Sequence, residues 1–329
     1  MPAPAVWFNK YLANTGEVVA RLRRDRRPGE FRVLVTHPSP RYRGRCHADH
    51  FELEPDGLAA DRYVDYCLGF AERHGVALFF PGRNVLPVVA ARDRFAAVGT
   101  RVCAAGDAAT IRLVNHKAKL AAAVADVPGV RLPTCEVVTD RTAFDAAVER
   151  LRGRHTRVCY KPATGVYGIG FHVLDDFNHP NGIALADART RLGAGRFADL
   201  LVMEYLPGPE RSVDALAENG ELVGAVVRRK GHGWQLIEDN PRLVEVVRRL
   251  AARLRLTGLF NTQFRDAAGE PHLLEINPRM SGGLPMTFRS GLNLPLWAVR
   301  LALGTGTAAD LPAPRTGVRV PQPVPARST

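Results

Sequence analysis

The sequence of 329 residues predicts an α/β domain followed by an α+β domain. In residues 1–114, short apolar segments alternate with amphipathic helical segments, which is typical of a parallel sheet with both faces covered. In residues 115–311, several strand-like segments follow one another without helices between them. Residues 312–329 are rich in proline, and we expect them to form an extended, disordered tail. The length agrees with about two domains.

The first domain is predicted to contain three strands and two helices. Continuous apolar or β-rich segments predict strands at residues 5–8, 32–36 and 76–80. Apolar residues recur at helical spacing in residues 16–24 and 61–74, which predicts helices there. No GxGxxG motif follows the first strand, so the sequence does not indicate a dinucleotide site.

The second domain is predicted to mix helices and strands. Phe144 and the apolar residues that follow at helical spacing predict a helix near residues 144–151. Asn240 followed by Pro241 is a helix start signal, and we expect that helix to end near Gly258. The strands of this domain are expected at residues 158–161, 171–174, 200–205, 212–216 and 222–229.

The charge and composition narrow the class of protein. The formal net charge is +12, which suits nucleic acid but equally suits phosphate-bearing ligands. Aromatic residues make up 7% of the chain and do not interleave with the basic runs, which argues against a nucleic-acid stacking surface. The longest apolar stretches, such as residues 85–91, are far too short to span a membrane.

The cysteines and the start of the chain indicate a reduced, cytoplasmic protein. The five cysteines are an odd number, widely spaced and without a CxxC pair. The first residues lack the basic and apolar segments of a secretory signal, so we expect none. Cys46, His47 and His50 form a local cluster without a fourth ligand at finger-like spacing, and the sequence leaves its role open.

Oxygen-donor side chains gather near a predicted hairpin. We expect residues 267–269 to form its three-residue loop, a register that puts Asn261, Gln263, Glu275 and Asn277 on one face. One carboxylate and several amide oxygens suit Mg²⁺ held together with a phosphate ligand, the alternative being an exposed polar sheet face. Arg279 follows at the position from which it would grip a transferring phosphoryl group.

Two further segments carry phosphate-binding potential. A predicted strand delivers Lys161 to a loop containing Gly165, Gly168 and Gly170, whose backbone N–H groups would cover phosphates. This segment matches neither the GxGxxG motif nor the P-loop. The alternative to a phosphate cover is that the segment forms a flexible β-turn. In residues 203–214, a strand ends in a Pro-Gly turn that carries two acidic residues.

In this order, the three segments resemble the ATP-grasp superfamily over about residues 115–305. The likeness is greatest to ligases related to the large subunit of carbamoyl-phosphate synthetase, and residues 274–279 (LEINPR) are its most specific part. The resemblance implies a Rossmann-like pre-ATP-grasp domain in residues 1–114. It implies an ATP-grasp fold in residues 115–311, with a glycine-loop lid within about 125–203.

The resemblance also implies ATP and Mg²⁺ or Mn²⁺ as cofactors. It assigns Gln263, Glu275 and Asn277 to the metal, and Lys161 and Arg279 to catalysis near the phosphates. The other implied nucleotide contacts, which include Lys161 again, are Lys117, Gly165, Gly168, Gly170, Glu204, Tyr205, Leu206 and Glu210. The chain departs from the family in having Asn115-His116-Lys117 where Asp-Lys is usual, and Gln263 where an acid is usual.

The function that the resemblance implies is ATP-dependent ligation of a small-molecule carboxylate to an amine. The reaction would pass through an acyl phosphate and release ADP and phosphate. Two alternatives stay open: kinase or carboxy-phosphate chemistry on the same fold, and a non-catalytic binder of nucleic acid or another anionic partner. The sequence names neither substrate, and it does not indicate the oligomeric state.

Overall fold

The computed structural model describes residues 3–10, 14–165 and 168–322, and these form two compact units. The first unit comprises Met1–Arg112, Ser212–Thr262 and Asn277–Thr329, and the second comprises Leu113–Arg211 and Gln263–Ile276. The predicted second domain, 115–311, therefore has residues in both units. No helix in the described part of the chain has the length and apolarity needed to cross a bilayer.

A five-stranded sheet organises the N-terminal part of the first unit. Its strand order is β3-β2-β1-β4-β5, and all four neighbouring pairs are parallel, as the sequence predicts. The elements of this part are β1 (Ala5–Phe8), α1 (Thr15–Asp25), β2 (Arg32–His37), β3 (His50–Leu53), α2 (Ala60–His74), β4 (Val76–Phe80), α3 (Val85–Ala90), α4 (Arg92–Ala97), β5 (Arg101–Val102) and α5 (Ala108–Asn115), the last of which ends in the second unit.

The continuous apolar character of β1 follows from its position in the middle of this sheet. Val6 and Phe8 lie in one hydrophobic cluster, whereas Ala5 and Trp7 lie in another that includes Tyr63 of α2. Successive side chains of a strand point to opposite faces, so both faces of β1 are covered and no polar residue is needed in it.

The second unit contains the other five-stranded sheet, of order β6-β10-β7-β8-β9. The predicted apolar stripe that begins at Phe144 is buried in its core together with Tyr160 and Val202. Its elements are α6 (Lys117–Val124), β6 (Cys135–Asp140), α7 (Arg141–Arg152), β7 (Val158–Pro162), β8 (His172–Leu174), β9 (Gly182–Ile183), α8 (Leu185–Leu192) and β10 (Arg196–Glu204).

The remaining strands form a six-stranded sheet of order β15-β14-β11-β12-β13-β16, and three of them have residues in both units. The elements are β11 (Glu210–Glu218), β12 (Glu221–Lys230), β13 (Trp234–Glu238), α9 (Pro241–Leu254), β14 (Gly258–Ala267), β15 (Glu270–Asn277), α10 (Leu284–Thr287), α11 (Leu294–Leu303) and β16 (Arg319–Pro321).

Helix α9 begins as predicted but ends earlier than predicted. The Asn240 side chain accepts a hydrogen bond from the Leu243 N–H at 3.0 Å, which is an N-cap. Arg255 adopts a left-handed conformation with φ 50°, and Leu256 N–H donates to the Ala251 carbonyl at 2.9 Å. This Schellman-type ending stops the helix at Leu254, so the expected end near Gly258 was wrong.

Two other predictions of local structure were wrong. The hairpin loop between β14 and β15 has two residues, Ala268 and Gly269, and not three. Both have positive φ, 49° and 80°, which matches the right-handed twist of hairpin strands. The predicted tail contains β16, which pairs with β13 and places Val320 beside Gln235. Residues 323–329 of that tail lie outside the described residues.

Candidate active site

A cavity in the second unit brings together most of the residues that the sequence singled out. It encloses ≈ 820 Å³, part of it open to solvent. Apolar side chains and charged side chains share its wall. The charged and amide members are Lys117, Lys161, Glu204, Glu210, Gln263, Arg265 and Glu275, and the apolar members include Cys159, Ile169, Phe171, Met203, Leu206 and Leu274.

Strand β7 delivers Lys161 to the cavity through simple alternation. Cys159 and Lys161 line the cavity, whereas Tyr160 between them packs on the other side against Phe144, with ring centroids 5.5 Å apart. Burial lowers the pKa of Lys161, the charge of Lys117 lowers it further, and Glu275 opposes both. The Lys161 ammonium is therefore incompletely neutralised, and an anionic ligand would stabilise it.

Lys117 reaches the same cavity from the start of α6. Its Nζ lies 3.3 Å from the Glu275 Oε2 and donates to the Gly165 carbonyl at 3.3 Å, while its backbone N–H donates to the Ala163 carbonyl at 2.9 Å. His116 precedes it as the helix cap, with Nε2 3.0 Å from the Asp199 Oδ2. The chain has Asn115-His116-Lys117 where the superfamily usually has Asp-Lys, yet Lys117 still lines the cavity.

The glycine loop forms one wall of the cavity. Gly165 and Gly168 line it and have φ of 126° and 68°, values that favour glycine. Gly170 has φ 78°, and a Cβ there would lie 2.9 Å from the Pro162 Cγ, so any larger residue would be strained and crowded. The predicted lid also includes residues 166–167, which lie outside the described residues.

The segment after β10 forms another edge of the cavity and is held by its own side chains. The Glu204 carboxylate accepts a hydrogen bond from the Thr134 N–H at 2.7 Å and lies 3.3 Å from the His155 Nδ1. The acidic side chain thus anchors the segment. Leu206 lines the cavity, and its backbone N–H has no hydrogen-bond partner within the described ranges.

Two arginines that the sequence analysis missed fix Tyr205. The guanidinium of Arg157 lies 3.9 Å from the centre of the Tyr205 ring, and that of Arg265 lies 5.4 Å from it. Arg265 also donates to the Gly208 carbonyl at 3.1 Å. Position 208 needs glycine because a Cβ there would lie 2.5 Å from the Asp266 carbonyl oxygen. Alternation placed Arg265 on the face of Gln263, and this signal in the sequence could have identified it.

The predicted metal and catalytic residues divide between the two units. Gln263 and Glu275 line the cavity of the second unit. Asn277 and Arg279 belong to the first unit, where the Arg279 Nη2 donates to the Asn277 Oδ1 at 3.1 Å. Asn277 is buried and its Nδ2 lies 3.5 Å from the Asn261 Oδ1.

Asn261, which the sequence placed on the metal face, belongs to a buried polar cluster of the first unit. Its Nδ2 lies 2.9 Å from the Asp214 Oδ1. Arg228 donates to Asp214 at 2.8 Å, and it also donates to the side chains of Gln235, Ser212 and Ser281. Every nitrogen of this guanidinium therefore has a partner.

The chain has an ATP-grasp fold, as the resemblance in its sequence implies, and the predicted fold class is confirmed. Residues 196–323 match a family described as "ATP-grasp in the biosynthetic pathway with Ter operon".

Curated proteins are similar to part of the chain. Carnosine synthase 1 of Gallus gallus is 35% identical over 143 residues, which cover 38% of this chain and 15% of that protein. The carbamoyl phosphate synthase large chain of Pyrococcus furiosus is 27% identical over 145 residues, which cover 37% of this chain and 14% of that protein. The similar region thus spans about a seventh of the length of these relatives.

Solved structures resemble the fold over nearly the whole chain. An ADP complex of N5-carboxyaminoimidazole ribonucleotide synthetase has a TM-score of 0.70 at 15% identity, with 96% of this chain and 79% of that chain covered. The L-amino acid ligase of Bacillus licheniformis has a TM-score of 0.67 at 13% identity, with 95% and 78% covered. At these identities the likeness shows the fold alone.

Proposed function

We propose that the protein is an ATP-dependent carboxylate–amine ligase that works through an acyl phosphate. One observation carries the proposal: a cavity lined by apolar side chains also holds two lysines and Glu275, and the partly buried Lys161 is incompletely neutralised. Such a cavity suits a ligand that joins an apolar ring to a polyphosphate. ATP is that ligand in the superfamily.

The wall of the cavity suggests how the nucleotide would lie. Adenine would lie against Met203 and Leu274, where the Leu206 N–H would donate to it and the Glu204 carbonyl would accept from it. Glu210 would accept hydrogen bonds from the ribose hydroxyls. Lys161 and Lys117 would then contact the phosphates. The glycine loop would cover them.

The residues also fit a magnesium or manganese ion. Gln263 and Glu275 present hard oxygen donors in the cavity, and Asn277 follows two residues later on the same strand. When bound, the ion would offset the negative charge of the phosphates. Because Glu275 is the only carboxylate of this set, ATP itself would supply most of the negative charge around the ion. Lys117 would exchange its contact with Glu275 for one with phosphate.

The chemistry needs positioning and charge and no protein nucleophile. A substrate carboxylate oxygen attacks the γ-phosphorus, and the bond from that phosphorus to the bridging oxygen breaks, which releases ADP. The amine nitrogen then attacks the acyl carbon, phosphate leaves and the amine loses a proton. Lys161 would stabilise the charge that develops on the phosphoryl oxygens, and the resemblance implies the same role for Arg279.

The relatives favour amide formation but also include the alternative chemistry. Carnosine synthase and L-amino acid ligase are names of amide-forming enzymes. N5-carboxyaminoimidazole ribonucleotide synthetase and biotin carboxylase are names that point to carboxylation. Carboxy-phosphate chemistry therefore stays as the second candidate, with bicarbonate in place of the substrate carboxylate.

Hydroxylamine trapping separates these possibilities. The full chain would be incubated with ATP, Mg²⁺ and hydroxylamine, and with single amino acids or small carboxylates in turn. We expect one class of carboxylate to give hydroxamate in step with ADP even without an amine substrate. ADP release with bicarbonate alone would instead indicate carboxy-phosphate chemistry, and phosphate transferred to a hydroxyl group would indicate a kinase. Glu275→Gln serves as the control for contaminating ATPases, since it should abolish the signal.

A further inference from the structure

Three potential metal ligands meet at the edge of the parallel sheet in the first unit. Strand β3 is the outermost strand of that sheet. His50 and Glu52 lie two residues apart on it, so their side chains share one face. His74 is the last residue of helix α2, and its imidazole lies against the same face. Helix α2 thereby adds a third donor to the pair on β3.

The donor atoms are close enough for one ion. The Nε2 atoms of His50 and His74 lie 2.8 Å and 2.7 Å from the same Glu52 oxygen, Oε1. All three donor atoms lie within 4.8 Å of one another. Zinc bonds to nitrogen and oxygen of about 2.0–2.2 Å give donor separations of about 3.3 Å in a tetrahedron. Small side-chain rotations would therefore make room for an ion.

The contacts within the cluster are incomplete without an ion. The Nε2 of His74 is buried and makes no hydrogen bond of acceptable geometry within the described residues, although Glu52 is so near. Among the described cationic groups near Glu52, Arg73 lies 3.6 Å from the other carboxylate oxygen, Oε2. Oε1 is the oxygen that faces the two imidazoles, which is the orientation for a single metal–oxygen bond.

The rings are also held in place. The His50 and His74 rings have centroids 4.6 Å apart, and the His74 ring lies 4.4 Å from that of the buried Phe70.

We propose that His50, Glu52 and His74 form a binding site for a borderline divalent transition-metal ion, of which Zn²⁺ is the type. Two imidazoles and one carboxylate are a donor set that such ions prefer over Mg²⁺, with a remaining position for water. The ion would tie edge strand β3 to the end of α2. The site is separate from the ATP cavity, and it shares only His50 with the Cys46–His47–His50 cluster of the sequence.

The test uses the metal-stripped full chain without nucleotide. Zn²⁺ would be titrated by calorimetry, and Co²⁺ would serve as a spectroscopic probe of nitrogen ligation. We expect one site that binds Zn²⁺ and raises the midpoint of thermal unfolding. His74→Ala and His50→Ala should each weaken binding by about 100-fold or more, because loss of a ligand costs at least as much as loss of a supporting group.

Two matched variants locate the site. Cys46→Ser/His47→Ala should bind Zn²⁺ like the wild type, because the proposed ligands remain. Glu275→Ala should also leave this binding intact. The proposal is wrong if the wild type binds no Zn²⁺, if His74→Ala binds it normally, or if the double variant or Glu275→Ala loses the binding.

Discussion

Lys161 and Arg228 are both cations on strands, but Arg228 is buried whereas Lys161 is partly buried, and their surroundings differ completely. All three guanidinium nitrogens of Arg228 have side-chain partners, among them the buried Asp214. Lys161 lies in the wall of a cavity, and among the described residues Glu275 is the carboxylate whose charge acts on it, opposed by Lys117. Burial with full pairing indicates a role in stability, whereas burial with partial pairing beside open space indicates a ligand site.

The largest effect on stability is expected from the fully paired cation. Arg228→Ala leaves Asp214 buried without its guanidinium partner and should lower the free energy of unfolding by about 3–5 kcal/mol. Urea denaturation measures this. Arg229→Ala is the matched control, since its neighbour Glu238 is 3.7 Å away and the Arg229 side chain is 37% exposed; it should cost at most about 1 kcal/mol. Equal losses of unfolding free energy in the two variants would contradict the view that a buried, fully paired cation has a structural role.

Arg279 tests whether a cation can serve the reaction more than binding. We expect Arg279→Ala to lower turnover by about 10²–10³-fold, as for loss of one preorganised donor to the transition state. ATP affinity should change much less, because the guanidinium acts on charge that develops during transfer. Steady-state rates and calorimetric ATP binding, measured on the same preparation, give the two numbers. A parallel loss in both would make Arg279 a ground-state ligand.

Lys161→Ala should affect ATP binding more than stability, which is the opposite of the effect expected for Arg228→Ala. Lys161→Ala should weaken ATP binding by about 1.5–3 kcal/mol, the range for a hydrogen bond to a charged group. Its free energy of unfolding should stay near that of the wild type, since Glu275 keeps its contact with Lys117. Lys119→Ala, an exposed neighbour on α6, is the control and should change neither quantity. Normal ATP affinity in Lys161→Ala would place the phosphates elsewhere.

The smallest effect is a dependence of ATP affinity on pH. Because the pKa of Lys161 lies below its ordinary value and bound phosphate would raise it, ATP binding should take up a proton when the pH lies between the pKa values of Lys161 in the free and the bound protein. Affinity should therefore fall as the pH rises through the pKa of the free protein. Lys161→Arg keeps its charge throughout and should lose this dependence. Calorimetry in two buffers of different ionisation enthalpy measures the proton uptake.

The sequence predicted the elements that depend on local pattern. The strand at Val76–Phe80 and the capped start of α9 follow from apolar runs and from Asn240-Pro241. The end of α9 was missed because an arginine occupies the left-handed position where glycine is usual. Strand β16 was missed because only its pairing with β13 shows that the proline-rich segment is ordered there.

The same contrast between local sequence pattern and contacts with distant residues applies to the candidate site. Lys161, Glu275 and the glycine loop were found because they form ordered motifs along the chain. Arg157 was missed because its partner, the Tyr205 ring, is far from it in the sequence, whereas the alternation that Arg265 shares with Gln263 could have identified Arg265. The His50–Glu52–His74 cluster was missed for the same reason, since its third member comes from a different element. Contacts between segments that are distant in the sequence produce no regular residue spacing from which they could be predicted.

The central claim is that the cavity of Lys117 and Lys161 binds the phosphates of ATP. Competitive amine labelling with mass spectrometry tests it directly, because the chain contains few lysines: Lys10, Lys117, Lys119, Lys161 and Lys230. We predict that ATP with Mg²⁺ slows labelling of Lys117 and Lys161 and leaves that of Lys119 unchanged. Equal labelling of Lys161 with and without saturating ATP would contradict the account.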